Sequence, residues 1–205
     1  MLSLASVGSI ATHRYLLRWR TTEGHYEYML SLTPNVSSLH NNYGSCLYKK
    51  GRYDLAMQHF SEAAQLMPTN FAALSNMGAV YYLEGKTKQA ISCWEKALKF
   101  NPDWVDAIYN LAWTKATNEN SAFRNPKEAV KLALRACEIT EYSQPELLDT
   151  LAAAYAAGGR FPDAIETAKR AEKLAQYTGR KELAQEIQQR LDLYQAGQCY
   201  LQKHP

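Results

Sequence analysis

An all-α solenoid of helix–turn–helix pairs is the fold this sequence predicts, from a proline recurring every 34 residues and small residues recurring in step with it. Pro34, Pro68 and Pro102 mark the period. Gly44 returns as Gly78 and Ala112, Ala56 as Ala90, Ala63 as Ala97, and the bulky Phe60 as Trp94. Composition agrees. With 46% hydrophobic residues the chain can bury a core, and ten glycines and seven prolines in 205 residues leave long stretches free for helix.

The elements follow in order. Residues 1–35 read as an N-terminal apolar or amphipathic helix, expected over 2–17, and a half-repeat cap. Tyr26, Met29 and Pro34 bear the marks of a lone second helix. Met1–Thr12 is uncharged and is followed by Arg14, Arg18 and Arg20. Those residues are too few to cross a bilayer, which takes about 20. They fit either the last turns of a membrane helix or a cap.

Helix pairs are then expected at 36–49 with 53–66, 70–83 with 87–100, 104–117 with 126–139, and 145–157 with 161–176. Gly51-Arg52-Tyr53 and Gly85-Lys86-Thr87 supply the turns inside the first two pairs. The third pair is stretched, because its second-helix alanine is Ala129, five residues beyond the in-phase position. The excess is the polar run Asn118–Arg124, after which Asn125 and Pro126 read as an N-cap and first helical residue. The fourth pair runs from Leu151-Ala152-Ala153-Ala154-Tyr155 through Gly158-Gly159-Arg160 to Ala168 and Ala171. Residues 178–196 place Leu183, Ile187, Leu191 and Tyr194 on one face, as a capping helix does. Residues 197–205 are expected to be a flexible tail.

Over residues 36–177 these marks resemble the tetratricopeptide-repeat (TPR) family. The resemblance implies a right-handed α-solenoid of four repeats with a C-terminal capping helix, its first helices lining a concave groove. It implies a protein- or peptide-binding scaffold without catalytic residues. Glu141 and Gln176 stand where a proline is usual, and Ala133 and Ala168 replace the bulky aromatic. These departures are expected to loosen the last two repeats. A narrower resemblance lies in Arg18–Glu23, Leu32–Asn35 and His40–Gly44. It is to the junction between the last membrane helix and the C-terminal TPR tail of multi-pass glycosyltransferase-like proteins. The alternative it implies is a truncated tail that recruits a substrate or partner for a membrane glycosyltransferase.

In the groove, Asn42, Asn76 and Asn110 recur at the repeat period. Asparagine is a mediocre helix former, so three in phase suggest a ladder of amides facing a peptide backbone. It is similar to the asparagine ladder of the O-linked N-acetylglucosamine transferases; local bonding to neighbouring turns is the other reading. Tyr48, Tyr82, Tyr109 and Trp113 are the candidate aromatic wall. A carboxylate clamp is not expected, because Asp106 and Asn110 stand where its cation would be.

Other chemistry finds no footing. Lys plus Arg is 23 against 20 acidic residues, too even for a nucleic-acid binder. No phosphate loop, dinucleotide fingerprint or zinc-protease motif occurs, so neither cofactor nor metal is expected. Cys46, Cys93, Cys137 and Cys199 lack paired spacing, and the first three are expected to be buried thiols. Lys49-Lys50-Gly51-Arg52 reads as a solvated turn, and Asn35-Val36-Ser37, a sequon, as a helix cap. The partners implied are a protein or an extended peptide, with membrane contact through residues 1–20 as the added option. Membrane-associated and cytoplasmic settings both fit.

Overall fold

The structure is a computed structural model, and it describes residues 21–203. The helix expected at 2–17 and the membrane contact through residues 1–20 lie outside these residues. The helices are α1 (Thr22–Leu32), α2 (Ser37–Lys49), α3 (Tyr53–Leu66), α4 (Phe71–Leu83), α5 (Thr87–Phe100), α6 (Val105–Thr117), α7 (Pro126–Ile139), α8 (Pro145–Ala157), α9 (Phe161–Tyr177) and α10 (Lys181–Gln195). A short 3-10 turn, Ser121–Phe123, precedes α7. The paired helices match the expected spans to within a residue. Two compact units divide the chain between Val80 and Tyr81.

In the first unit α1 packs on α2 and α2 on α3. Gly44 shows why a small residue recurs: a Cβ there would sit 2.7 Å from the ring of Phe60 and 3.2 Å from the carbonyl of Ala56. Phe60 itself is fully buried. The turn between α2 and α3 needs Gly51 at φ +74°, a conformation that L side chains rarely adopt. Its flanking cations are not simply solvated, since Lys50 Nζ and Arg52 Nη1 each donate to Glu23 of α1 at 2.6 Å. Tyr26 stacks on Tyr43 at 5.5 Å, and the Tyr43 hydroxyl donates to Glu27 at 3.1 Å.

The expected cap at Asn35 does not form. Val36 is the N-cap and caps with no side chain, while Asn35 is exposed. Ser37 turns inward instead. Its hydroxyl donates to the Ala63 carbonyl at 2.7 Å and accepts from Asn70 at 2.8 Å, and Asn70 in turn accepts from the Ala73 backbone N–H. This links α2, α3 and the start of α4 through one buried hydroxyl.

In the second unit α6 and α8, the first helices of successive pairs, lie side by side, the capping helix α10 follows α8, and α7 and α9 pack behind them. Their shared core is mostly alanine, including Ala112, Ala129, Ala133, Ala152, Ala164 and Ala168. The last two repeats are therefore not loosened. α8 buries ten of its 13 residues, and Ala133 and Ala168 are at most 1% exposed. Small side chains let helix axes close in toward the short end of about 8–10 Å, which removes the space an aromatic would fill. Where proline was missing, Glu141 and Tyr142 take left-handed φ of 50° and 56°, and the Tyr142 N–H closes α7 on the Cys137 carbonyl at 2.7 Å. Cys137 is buried, and burial pushes its thiol up to about 11, but Cys46 and Cys93 are only half-buried.

Two predictions come from the first unit. Gly44→Leu should lower the unfolding free energy by about 1–3 kcal/mol in urea denaturation, because the Phe60 ring cannot yield without leaving its rotamer. The second concerns His40 and His59, whose Nδ1 atoms face each other at 3.0 Å while His40 Nε2 donates to the Pro34 carbonyl at 2.8 Å. Burial, and then the neighbouring His40, hold the His59 pKa below its ordinary 6.5. Its stabilising contribution is thus present above that value and lost as pH falls through the lower folded one. The thermal midpoint should drop between pH 7.5 and 5.0, and drop less in His59→Gln.

Candidate functional site

The first-helix face of the second unit gathers the most unusual chemistry among the described residues. Asp149 of α8 and Arg190 of α10 form a bidentate pair at 3.0 and 2.8 Å, with side chains only 4% and 8% exposed. Burial pushes the Asp149 carboxyl up to about 6 despite the adjacent guanidinium. Its contribution to stability is therefore full below the ordinary 3.8 and lost as pH rises through about 6. Desolvation offsets much of the attraction within the pair, so its clearest effect is on position. What it positions is the Arg190 guanidinium, 5.5 Å over the Trp113 ring and 5.6 Å over the Tyr200 ring. Both rings attract the cation by their quadrupoles.

The tail meets this platform. Residues 197–203 are not flexible overhang: Gly197, at φ +70°, turns the chain off α10 and back toward α6. The Gln202 N–H donates to the Thr117 carbonyl at 2.7 Å, and Asn118 and Gln202 form a one-residue parallel β-bridge. The Gln202 side-chain oxygen accepts from the Trp113 indole N–H and from the Tyr82 hydroxyl, the latter at 3.4 Å. Tyr200 lies 6.0 Å from Trp113. The polar run after α6 makes this possible. Asn118 leaves the helix with φ −58° and ψ 132°, and its position is fixed by bonds from Asn120 N–H to its side chain and from Arg124 to its carbonyl. Asn120 caps the 3-10 turn, and Asn125 caps α7 as expected.

The seven sequence-predicted residues divide between the units. In the second unit, Tyr82 and Trp113 meet on one acceptor. Tyr109 is half-buried against the core, its hydroxyl pushed up to about 12 by burial and then by Asp149. Asn110 is half-buried on the same helix. In the first unit, Asn42 is exposed, and Tyr48 packs edge-on to Tyr53 at 5.3 Å. Asn76 spends its amide donor on Asn41 at 2.9 Å and Ser45 at 3.2 Å, fastening α4 to α2. Sequence reasoning missed Asp149, Arg190, Thr117, Asn118, Tyr200 and Gln202. A charged pair at positions that otherwise read as core, Asp149 on a run of Leu and Ala, was the available signal for the first two.

Among the described residues no group of side chains could hold a metal ion, and no helix is long and apolar enough to cross a membrane. The TPR repeat family pattern matches residues 44–85 and the tetratricopeptide repeat pattern residues 71–103. Among solved structures, TTC0263, a thermophilic TPR protein in Thermus thermophilus, has a TM-score of 0.63 at 17% identity, covering 91% of this chain and 95% of that one. YrrB, a TPR protein with an unusual peptide-binding site, has a TM-score of 0.61 at 19% identity, covering 83% and 92%. The fold is an all-α TPR fold. A curated relative, the "Probable UDP-N-acetylglucosamine--peptide N-acetylglucosaminyltransferase SPINDLY" of Solanum lycopersicum, is 39% identical over 69 residues. That stretch is 34% of this chain and spans 7% of the length of that relative.

Arg190→Met should cost about 3–5 kcal/mol at pH 7.5, since it leaves the Asp149 carboxylate buried without its partner. The deficit should shrink at pH 5, where Asp149 takes up a proton. Arg190→Met with Asp149→Leu should recover most of the loss. Urea unfolding of the three proteins at both pH values checks each expectation.

Proposed function

With tetratricopeptide repeats recognised over residues 44–103, we propose that the chain is a non-enzymatic scaffold whose first-helix faces hold an extended peptide of a partner protein. One observation carries the reading: the face formed by Tyr82, Trp113 and Thr117 already receives an extended segment through a main-chain hydrogen bond and two aromatic donors. This is strand-like recognition, in which backbone groups supply affinity and alternate side chains supply selectivity. On the second unit Asn110 of α6 is the amide left to bond further peptide groups; on the first unit Asn42 offers its donor, its oxygen accepting from Asn41 at 3.5 Å. Asn76 contributes only its oxygen, because its donor is committed to α2.

The alternative, a recruiting tail of a membrane glycosyltransferase, draws on relatives such as the tomato protein. Their likeness lies in the repeats and extends over a small share of their length. It therefore speaks for a binding module and leaves the transfer chemistry with those proteins.

Selecting a random peptide library on the immobilised chain and titrating the enriched sequences tests the proposal. Asn42→Ala with Asn110→Ala should weaken the selected peptides by about 0.5–1.5 kcal/mol per amide, the net worth of a hydrogen bond, with helicity unchanged. Undiminished affinity in the double variant would remove the amides from the site. Photo-crosslinks confined to α7 and α9 would remove the first-helix face.

A further inference from the structure

We propose that the C-terminal segment Gln198–Lys203 is a built-in occupant of this groove. It is displaced by partner peptides that carry an aromatic residue two positions before a glutamine. The inference rests on the peptide-binding reading above and adds both a selectivity and a control to it.

The segment has the form of a bound strand. Tyr200 and Gln202 are half-buried, whereas Leu201 and Lys203 are exposed, the alternation of a chain lying with one edge on a surface. Its one main-chain bond to α6, from Gln202 N–H to the Thr117 carbonyl, is available to any extended peptide, while Gln198 N–H donates to the Leu193 carbonyl at the end of α10. Selectivity comes from the two inward side chains. The Trp113 indole N–H is a donor only, and with the Tyr82 hydroxyl it converges on the Gln202 side-chain oxygen. An apolar side chain at that position would strand the indole donor. Two residues earlier, Tyr200 closes over the Arg190 guanidinium, which Asp149 holds in place. A residue without a π face would leave that cation with the Trp113 ring alone.

The segment is also suited to release. It contains no helical turn, and α10 ends before it at Gln195, so it can lift off without unwinding a core helix. The short connection through Gly197 keeps its local concentration in the millimolar range, so an outside peptide must compete with it. Native affinity is thereby set by the difference between two similar ligands.

The 205-residue chain is the material for the test. The probe is a fluorescent peptide spanning residues 197–203 and carrying Cys199→Ser, titrated by polarisation. Tyr200→Ser with Gln202→Ala should open the groove and bind the probe at least tenfold more tightly than the native chain. Adding Trp113→Ala should abolish that gain, and a probe carrying Gln202→Ala should bind the opened chain at least tenfold more weakly. Equal affinity of native and opened chains would overturn the proposal. So would an opened chain that is less stable and binds no probe, which makes the segment a mere structural cap, or concentration-dependent dimers of the native chain, which place the segment in a second copy. In each of these cases, library peptides that still bind the first-helix face leave the broader peptide-binding reading standing. Its own failure is the absence of any such peptide.

Discussion

Close approach of helices through small residues is the constraint on which everything else here depends. No single pair can bury its apolar side, so each must lie against the next, and the distance is set by what projects between them. In the first unit Gly44 admits the Phe60 ring. In the second unit alanine dominates the contact, and Ala133 and Ala168 let α7 and α9 settle onto α8 where the expected pattern has an aromatic. The result is a layer of α6, α8 and α10 packed closely enough to bury the Asp149–Arg190 ion pair.

That ion pair explains the arrangement of the site. Burying Asp149 and Arg190 costs desolvation energy, and the raised carboxyl pKa is its signature. Two apolar side chains of similar volume often serve a core at least as well. What they would not supply is a guanidinium held beside Trp113 and Tyr200, about equally close to both rings. The pair's own hydrogen bonds offset part of that desolvation, and they fix the guanidinium in place.

The repeat period made the helix spans legible, because proline, glycine and alanine at fixed steps report directly on turns and close contacts. Tyr82 and Trp113 were legible for the same reason, since repeat phase says which side of a first helix a residue occupies. The tail was not. Gln198–Lys203 has no periodicity, and its place depends on a long-range bond to Thr117 that no local pattern encodes. Asn76 takes the second of the two readings its recurrence left open: its donor serves the joint between α2 and α4. Ser37 reversed the reading of its neighbourhood likewise, because a buried carbonyl of α3 outcompeted the helix end for its hydroxyl.

The insertion between α6 and α7 has a consequence for how a ligand is read. A groove built from equal repeats is a ruler with identical graduations, and a peptide held by main-chain groups alone can shift along it by one unit at little cost. Asn118, thrown into extended backbone by the extra residues and locked by Asn120 and Arg124, is a mark found once among the described residues. It supplies an origin. A chain paired there is counted from a single point, so an aromatic and a glutamine at the right spacing become an address where elsewhere they would only be a composition.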